Sequence, residues 1–98
     1  IILATGSIPN NLPGFEPDGK KIVTSTEALE LPQIPKRMVV IGAGAIGLEL
    51  GSVWSRLGSE VTVIEYADKI CGAMDSGLSK NMLTSRKKHG KQFLLSAK

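Results

Sequence analysis

Residues Met38 to Gly47 read M-V-V-I-G-A-G-A-I-G, an apolar strand pattern running straight into G-x-G-x-x-G and on into a helical pattern. The spacing predicts a strand that turns sharply into a helix whose first amides face a dinucleotide pyrophosphate. Each glycine meets a separate need. Gly42 lets the chain leave the strand in a tight turn, Gly44 removes a side chain from the path of the pyrophosphate, and Gly47 lets the helix lie close to the strand. The helix then offers unpaired amides and the positive end of its dipole to the phosphates.

A second strand pattern, Val61 to Ile64, ends in Glu65, 23 residues after Gly42. A carboxylate there can accept hydrogen bonds from ribose hydroxyls and would repel a 2′-phosphate. No arginine follows in Tyr66-Ala67-Asp68, and Lys69 is the nearest cation. NAD is therefore expected over NADP. Between the strands, Ile46, Leu50, Val53, Trp54 and Leu57 recur at helical spacing and are expected to face the core, with Gly47 and Gly51 as a small-residue track against the sheet. Gly58 is expected to end the helix. Glu49 fits two placements, a solvated charge on the outer face or a carboxylate aimed along the crevice toward the nicotinamide end of the cofactor.

Ninety-eight residues with 42% hydrophobic and 21% charged residues correspond to one small soluble domain or part of a larger one. The net charge is +3, and Lys80, Arg86, Lys87, Lys88 and Lys91 supply much of the positive charge without an aromatic residue among them. A solvated helix face is expected rather than a nucleic-acid surface. No run approaches the ~18 apolar residues of a membrane span, and no signal-peptide layout opens the chain. The single cysteine, Cys71, excludes an internal disulfide and is read as incidental. The single histidine, His89, falls in the last turn of a helix that Gly90 would end, where it can satisfy terminal carbonyls; it has no companion at metal-ligand spacing.

Ile1-Ile2-Leu3 has the pattern of a buried strand, broken at Ala4-Thr5-Gly6-Ser7. Residues 8 to 21 read as loop and Ile22-Val23 as a short strand, while Ser25 to Leu31 read as a capped short helix stopped by Pro32. Gln33-Ile34-Pro35 is a stiff linker and the expected domain boundary. Asp75 or Ser76 is placed to cap a second helix to about His89, with Leu78, Met82 and Leu83 as its apolar face, and Gln92 to Leu95 form a third strand. The fold class that follows is α/β, a Rossmann-type doubly wound parallel sheet of which β-α-β-α-β is one mononucleotide-binding half.

Three stretches together, Ile1 to Ser7, Ser25 to Leu29, and Val39 to Glu65 with its G-L-E-L-G-S-V-W-S-R-L-G-S-E-V-T-V-I-E run, resemble the dihydrolipoamide dehydrogenases, two-dinucleotide flavoproteins of the pyridine nucleotide-disulfide oxidoreductase family. The A-T-G-S strand end is shared by many such flavoproteins; the longer run is narrower and favours this group over glutathione or mercuric reductases. The likeness covers nearly the whole chain and weakens after Cys71.

The resemblance implies that Thr5, Gly6 and Ser7 touch FAD at the end of the FAD domain. It also implies that Gly42, Ala43, Gly44, Ala45, Ile46, Gly47, Leu48 and Glu49, with Glu65, hold NAD. Residues 1–35 would be the end of the FAD domain with the interdomain linker, and residues 36–98 the first half of the NAD domain. The implied reaction moves electrons from dihydrolipoamide through an enzyme disulfide and FAD to NAD, with Ala45 where related reductases carry a bulky Tyr gate. Lipoyl-bearing acyltransferase subunits of 2-oxo acid dehydrogenase complexes or the glycine cleavage system, and a second copy in a homodimer, are the implied partners, with neither nucleic acid nor membrane. The implied location is the mitochondrial matrix in a eukaryote and the cytoplasm otherwise. The family's redox cysteine pair, catalytic His-Glu pair, first FAD glycine motif and dimerisation domain have no counterpart here, so a fragment inactive alone is expected. Another NAD(P)H-dependent flavoprotein reductase or NADH oxidase, and a non-enzymatic nucleotide-binding module, also fit the residues.

Overall fold

The computed structural model describes residues 1–98. The apolar run before the glycines forms strand β1 (Arg37–Ile41), followed by helix α1 (Ala45–Arg56), strand β2 (Glu60–Ile64), helix α2 (Ser76–Lys88) and strand β3 (Gln92–Leu94). The strands make one parallel sheet in the order β1-β2-β3, in register from Arg37 opposite Glu60 to Ile41 opposite Ile64, and from Thr62 opposite Gln92 to Ile64 opposite Leu94. Parallel neighbours need a crossover, and each helix supplies one. This is the Rossmann-like α/β arrangement expected.

Helix α1 lies on the sheet through its smallest residues. A Cβ on Gly47 would collide with the Gly42 carbonyl oxygen and stand 3.1 Å from Val40, and one on Gly51 would touch Val61 at 3.4 Å. That close approach sets which helix face is buried. Leu48, Gly51, Ser52 and Trp54 are buried, whereas Ile46, Val53 and Leu57, expected in the core, are at least half exposed. Periodicity located an apolar stripe, but the backbone contact at Gly47 and Gly51 turns the helix so that the small-residue stripe meets the strands. Leu48, Val61, Val63 and Ile70 form the fully buried centre. Alternation along β1 puts Val39 and Ile41 on the face turned away from Val40 and α1, and both are exposed.

Asp75 caps α2 by accepting the amides of Gly77 at 2.8 Å and Leu78 at 3.2 Å. Its buried residue is Ser79, whose hydroxyl donates to the Ile70 carbonyl at 2.5 Å, so Leu78, expected inside, is exposed. Gly90, at φ +78°, ends the helix, and His89 Nδ1 sits 2.7 Å from the Ser85 carbonyl oxygen. Arg86 links the helices by donating to Ser52 Oγ at 2.5 Å. Lys91 is buried and corrects the expectation of a wholly solvated basic face.

Residues Ile1–Leu31 form a unit separate from Pro32–Lys98. Ile1, Ile2 and Leu3 are fully exposed and make no strand, because no strand among these residues supplies the backbone partners an extended segment requires. Ile22-Val23 likewise form no strand; Asp18 Oδ1 gathers the amides of Lys20, Lys21 and Ile22 into a turn instead. The helix expected over Ser25 to Leu31 is a single 3-10 turn, Glu27–Leu29. It is braced by Thr24, not Ser25: the Glu27 carboxylate accepts both the Thr24 amide at 2.7 Å and its hydroxyl at 2.6 Å.

Candidate functional site

The loop from Gly42 to Gly44 is fixed from three sides. Gly42 adopts φ +99° and its amide extends the β1–β2 ladder to the Ile64 carbonyl at 2.8 Å. Ala43 is wholly buried; its amide donates to Glu65 Oε2 at 2.7 Å, and its carbonyl accepts the Cys71 amide at 2.8 Å. Gly44 is the extended residue at the start of α1, with φ −76° and ψ 179° and no side-chain cap. The first helical bond runs from Leu48 N–H to the Gly44 carbonyl at 3.0 Å. The amides of Ala45, Ile46 and Gly47 therefore have no acceptor within the chain.

Gly44 supplies a test of whether an anion fits. A Cβ built there meets no protein atom within 4 Å, and its backbone angles are open to any residue. Neither packing nor conformation calls for glycine at this position. Glycine there leaves open the space in front of the unpaired amides, which a side chain would occupy and into which an anion fits.

Glu65, at the end of β2, holds Ala43 N–H with one carboxylate oxygen and Ala67 N–H with the other, at 2.8 Å. These bonds, that from Ala67 foremost, lower its pKa from the ordinary carboxylate value against the opposing effect of burial. A carboxylate oxygen has two lone-pair sites, so each retains capacity for a hydroxyl donor. Sequence reading placed Glu65 at this end of the sheet but did not foresee that it would also fasten the glycine loop.

The profile of the pyridine nucleotide-disulphide oxidoreductase family matches residues 1–98. The chain belongs to that family. It is 56% identical over its full 98 residues to dihydrolipoyl dehydrogenase 3 of Pseudomonas putida, of which it covers 21%. It is equally 56% identical to the mitochondrial dihydrolipoyl dehydrogenase of Pisum sativum, covering all of this chain and 20% of that protein. The crystal structure of LpdA from Mycobacterium tuberculosis matches 96% of this chain and 20% of its own with a TM-score of 0.84 at 29% identity. The chain thus spans about a fifth of the length of these relatives.

Within this family segment the remaining candidate residues are placed unevenly. Glu49 is exposed on α1. Leu48 lies in the core with its amide bound to Gly44. Both supply support or charge rather than a free donor at the loop. Thr5, Gly6 and Ser7 lie in the separate unit, exposed, with Gly6 at φ +78°. Cys71, read as incidental, is the residue sequence reasoning missed. It is buried at φ +48°, rare for a non-glycine residue, and its amide holds the Ala43 carbonyl. No sequence signal announced that role, because it is carried by the main chain.

Proposed function

We propose that residues 36–98 are the first half of an NAD-binding domain and residues 1–35 the end of an FAD-binding domain. The enzyme they belong to would reoxidise protein-bound dihydrolipoamide and pass its electrons through FAD to NAD. The observation that carries the proposal is the pairing of Glu65 with the glycine loop: one carboxylate fixes the phosphate-facing turn and stands ready for ribose hydroxyls. Gly44, Ala45, Ile46 and Gly47 present main-chain amides to the pyrophosphate, while Gly42, Ala43 and Leu48 hold that turn in shape. Glu49 is the charged group one turn further along. In the other unit, Thr5, Gly6 and Ser7 are the residues proposed to meet FAD.

NAD, when bound, supplies a hydride acceptor and FAD a two-electron relay; the protein orients both. The 56% identity to dihydrolipoyl dehydrogenases supports lipoyl-bearing acyltransferase subunits as partners and a homodimeric enzyme. The names of those relatives fit either a mitochondrial or a bacterial cytoplasmic home. With one cysteine among these residues, the reducible disulfide of such an enzyme would be carried elsewhere in it.

Gly44→Val in the complete flavoprotein tests the NAD assignment. The expected result is lost NAD binding by titration calorimetry with the flavin absorption bands retained. Unchanged NAD affinity would refute the assignment, and so would loss of flavin together with NAD.

A further inference from the structure

Positive charge gathers at the end of the sheet remote from the glycine loop. Because the strands are parallel, Gly42 and Glu65 share their carboxyl ends, and the last turns of α1 and α2 lie at the other. There a cleft of about 500 Å³ is lined by Arg56, Met82, Arg86, His89 and Lys91 with two serines, Ser55 and Ser85, and no acidic side chain on its walls.

Arg56 and Arg86 alone would call for no ligand, since cations in the last turn of a helix offset its dipole. Lys91 has no such explanation. It follows α2 and precedes β3 and is only 7% exposed as a whole residue; it lines the cleft, and its ammonium is not sealed away unpartnered in the interior. Burial, and then the charges of Arg86 and Arg56, push its pKa down. Its stem is covered while its ammonium opens onto the cleft, where two guanidinium groups nearby disfavour a third positive charge unless an anion joins them. Arg86 spends one donor on Ser52 and keeps the rest of its five.

We propose that this cleft binds a phosphate-class oxyanion, held by Lys91 and Arg86 with Arg56 at its mouth, at a site separate from the glycine loop. A dianion supplies the counter-charge that three cations lack, and a planar guanidinium can meet two of its oxygens at once. Free phosphate and the phosphate of a small ester present the same oxygens.

The test uses the complete flavoprotein with saturating NAD, so that the glycine loop is occupied. Its Tm is followed against inorganic phosphate, glycerol 3-phosphate, and sodium chloride at matched ionic strength. Phosphate is expected to raise Tm saturably where chloride does not. A larger rise with the ester would identify an ester as the ligand, and an equal or smaller one free phosphate. Lys91→Met is expected to abolish the response. Arg56→Gln, an exposed change that leaves the core intact, is expected to weaken apparent affinity about tenfold, the loss of one charge-assisted contact. A Tm that follows ionic strength alone would overturn the proposal. So would an unaltered phosphate response in Arg56→Gln, which decides the matter should Lys91→Met not fold.

Discussion

Glu65 accepts the amide of Ala43, 22 residues earlier in the chain, at 2.7 Å. Through this bond the acidic residue that ends β2 becomes part of the turn that ends β1. The two halves of the proposed dinucleotide site, Glu65 and the glycine loop, are thereby one mechanical unit, and a change at either is expected to be felt at both.

The first consequence concerns pH. Amide donors hold the Glu65 pKa below its ordinary value. A depressed folded-state pKa contributes stability that is fully present above the unfolded value, about 4.3, and is lost as pH falls through the folded one. Unfolding free energies of the complete enzyme and of Glu65→Gln, measured from pH 7 to pH 3, should therefore converge on the acid side. A gap independent of pH would show that the charge is not what Ala43 and Ala67 hold.

Gly47 and Gly44 should fail differently. A Cβ at Gly47 collides with a backbone oxygen and at Gly44 with nothing, so Gly47→Ala is expected to destabilise the protein by about 1–3 kcal/mol, the usual cost of overpacking. Gly44→Ala should leave stability near that of the parent and weaken NAD. Urea unfolding of both variants checks this, and equal destabilisation would refute the distinction.

The strand-glycine-helix junction, the three strands and both helices were legible in the sequence because local signals for each agree: apolar runs, turn glycines, Asp75 as a cap and Gly90 as a stop. The buried faces were not. Ile46 and Val53 fit a helical stripe as well as Leu48 and Ser52 do, and only the backbone contact at Gly47 decides between the stripes. Ile1 to Leu3 read as a strand because hydropathy records apolar character, whereas a strand also needs a neighbour to bond. The position of Glu65 at the carboxyl end of β2 was legible; its bond to Ala43, like the Cys71 amide bond behind it, involves main-chain groups that no side-chain pattern reveals.

Expressed alone, residues 1–98 should be poorly folded. Ile1, Ile2, Leu3, Val39, Ile41 and Leu94 are all more than half exposed, an apolar surface that favours association. Unpaired strand edges add to it. Thermal denaturation of the purified fragment should give a broad transition or aggregation; a sharp cooperative transition in a monomeric sample would contradict this.

Cofactor choice tests the central claim most directly. The decisive measurement is kcat/KM of the complete enzyme for NAD and for NADP, before and after Glu65→Ala. A carboxylate that accepts ribose hydroxyls and repels a 2′-phosphate predicts a strong NAD preference that Glu65→Ala narrows, chiefly by lowering kcat/KM for NAD. Equal use of the two cofactors by the parent enzyme, or a preference that Glu65→Ala leaves unchanged, would contradict it.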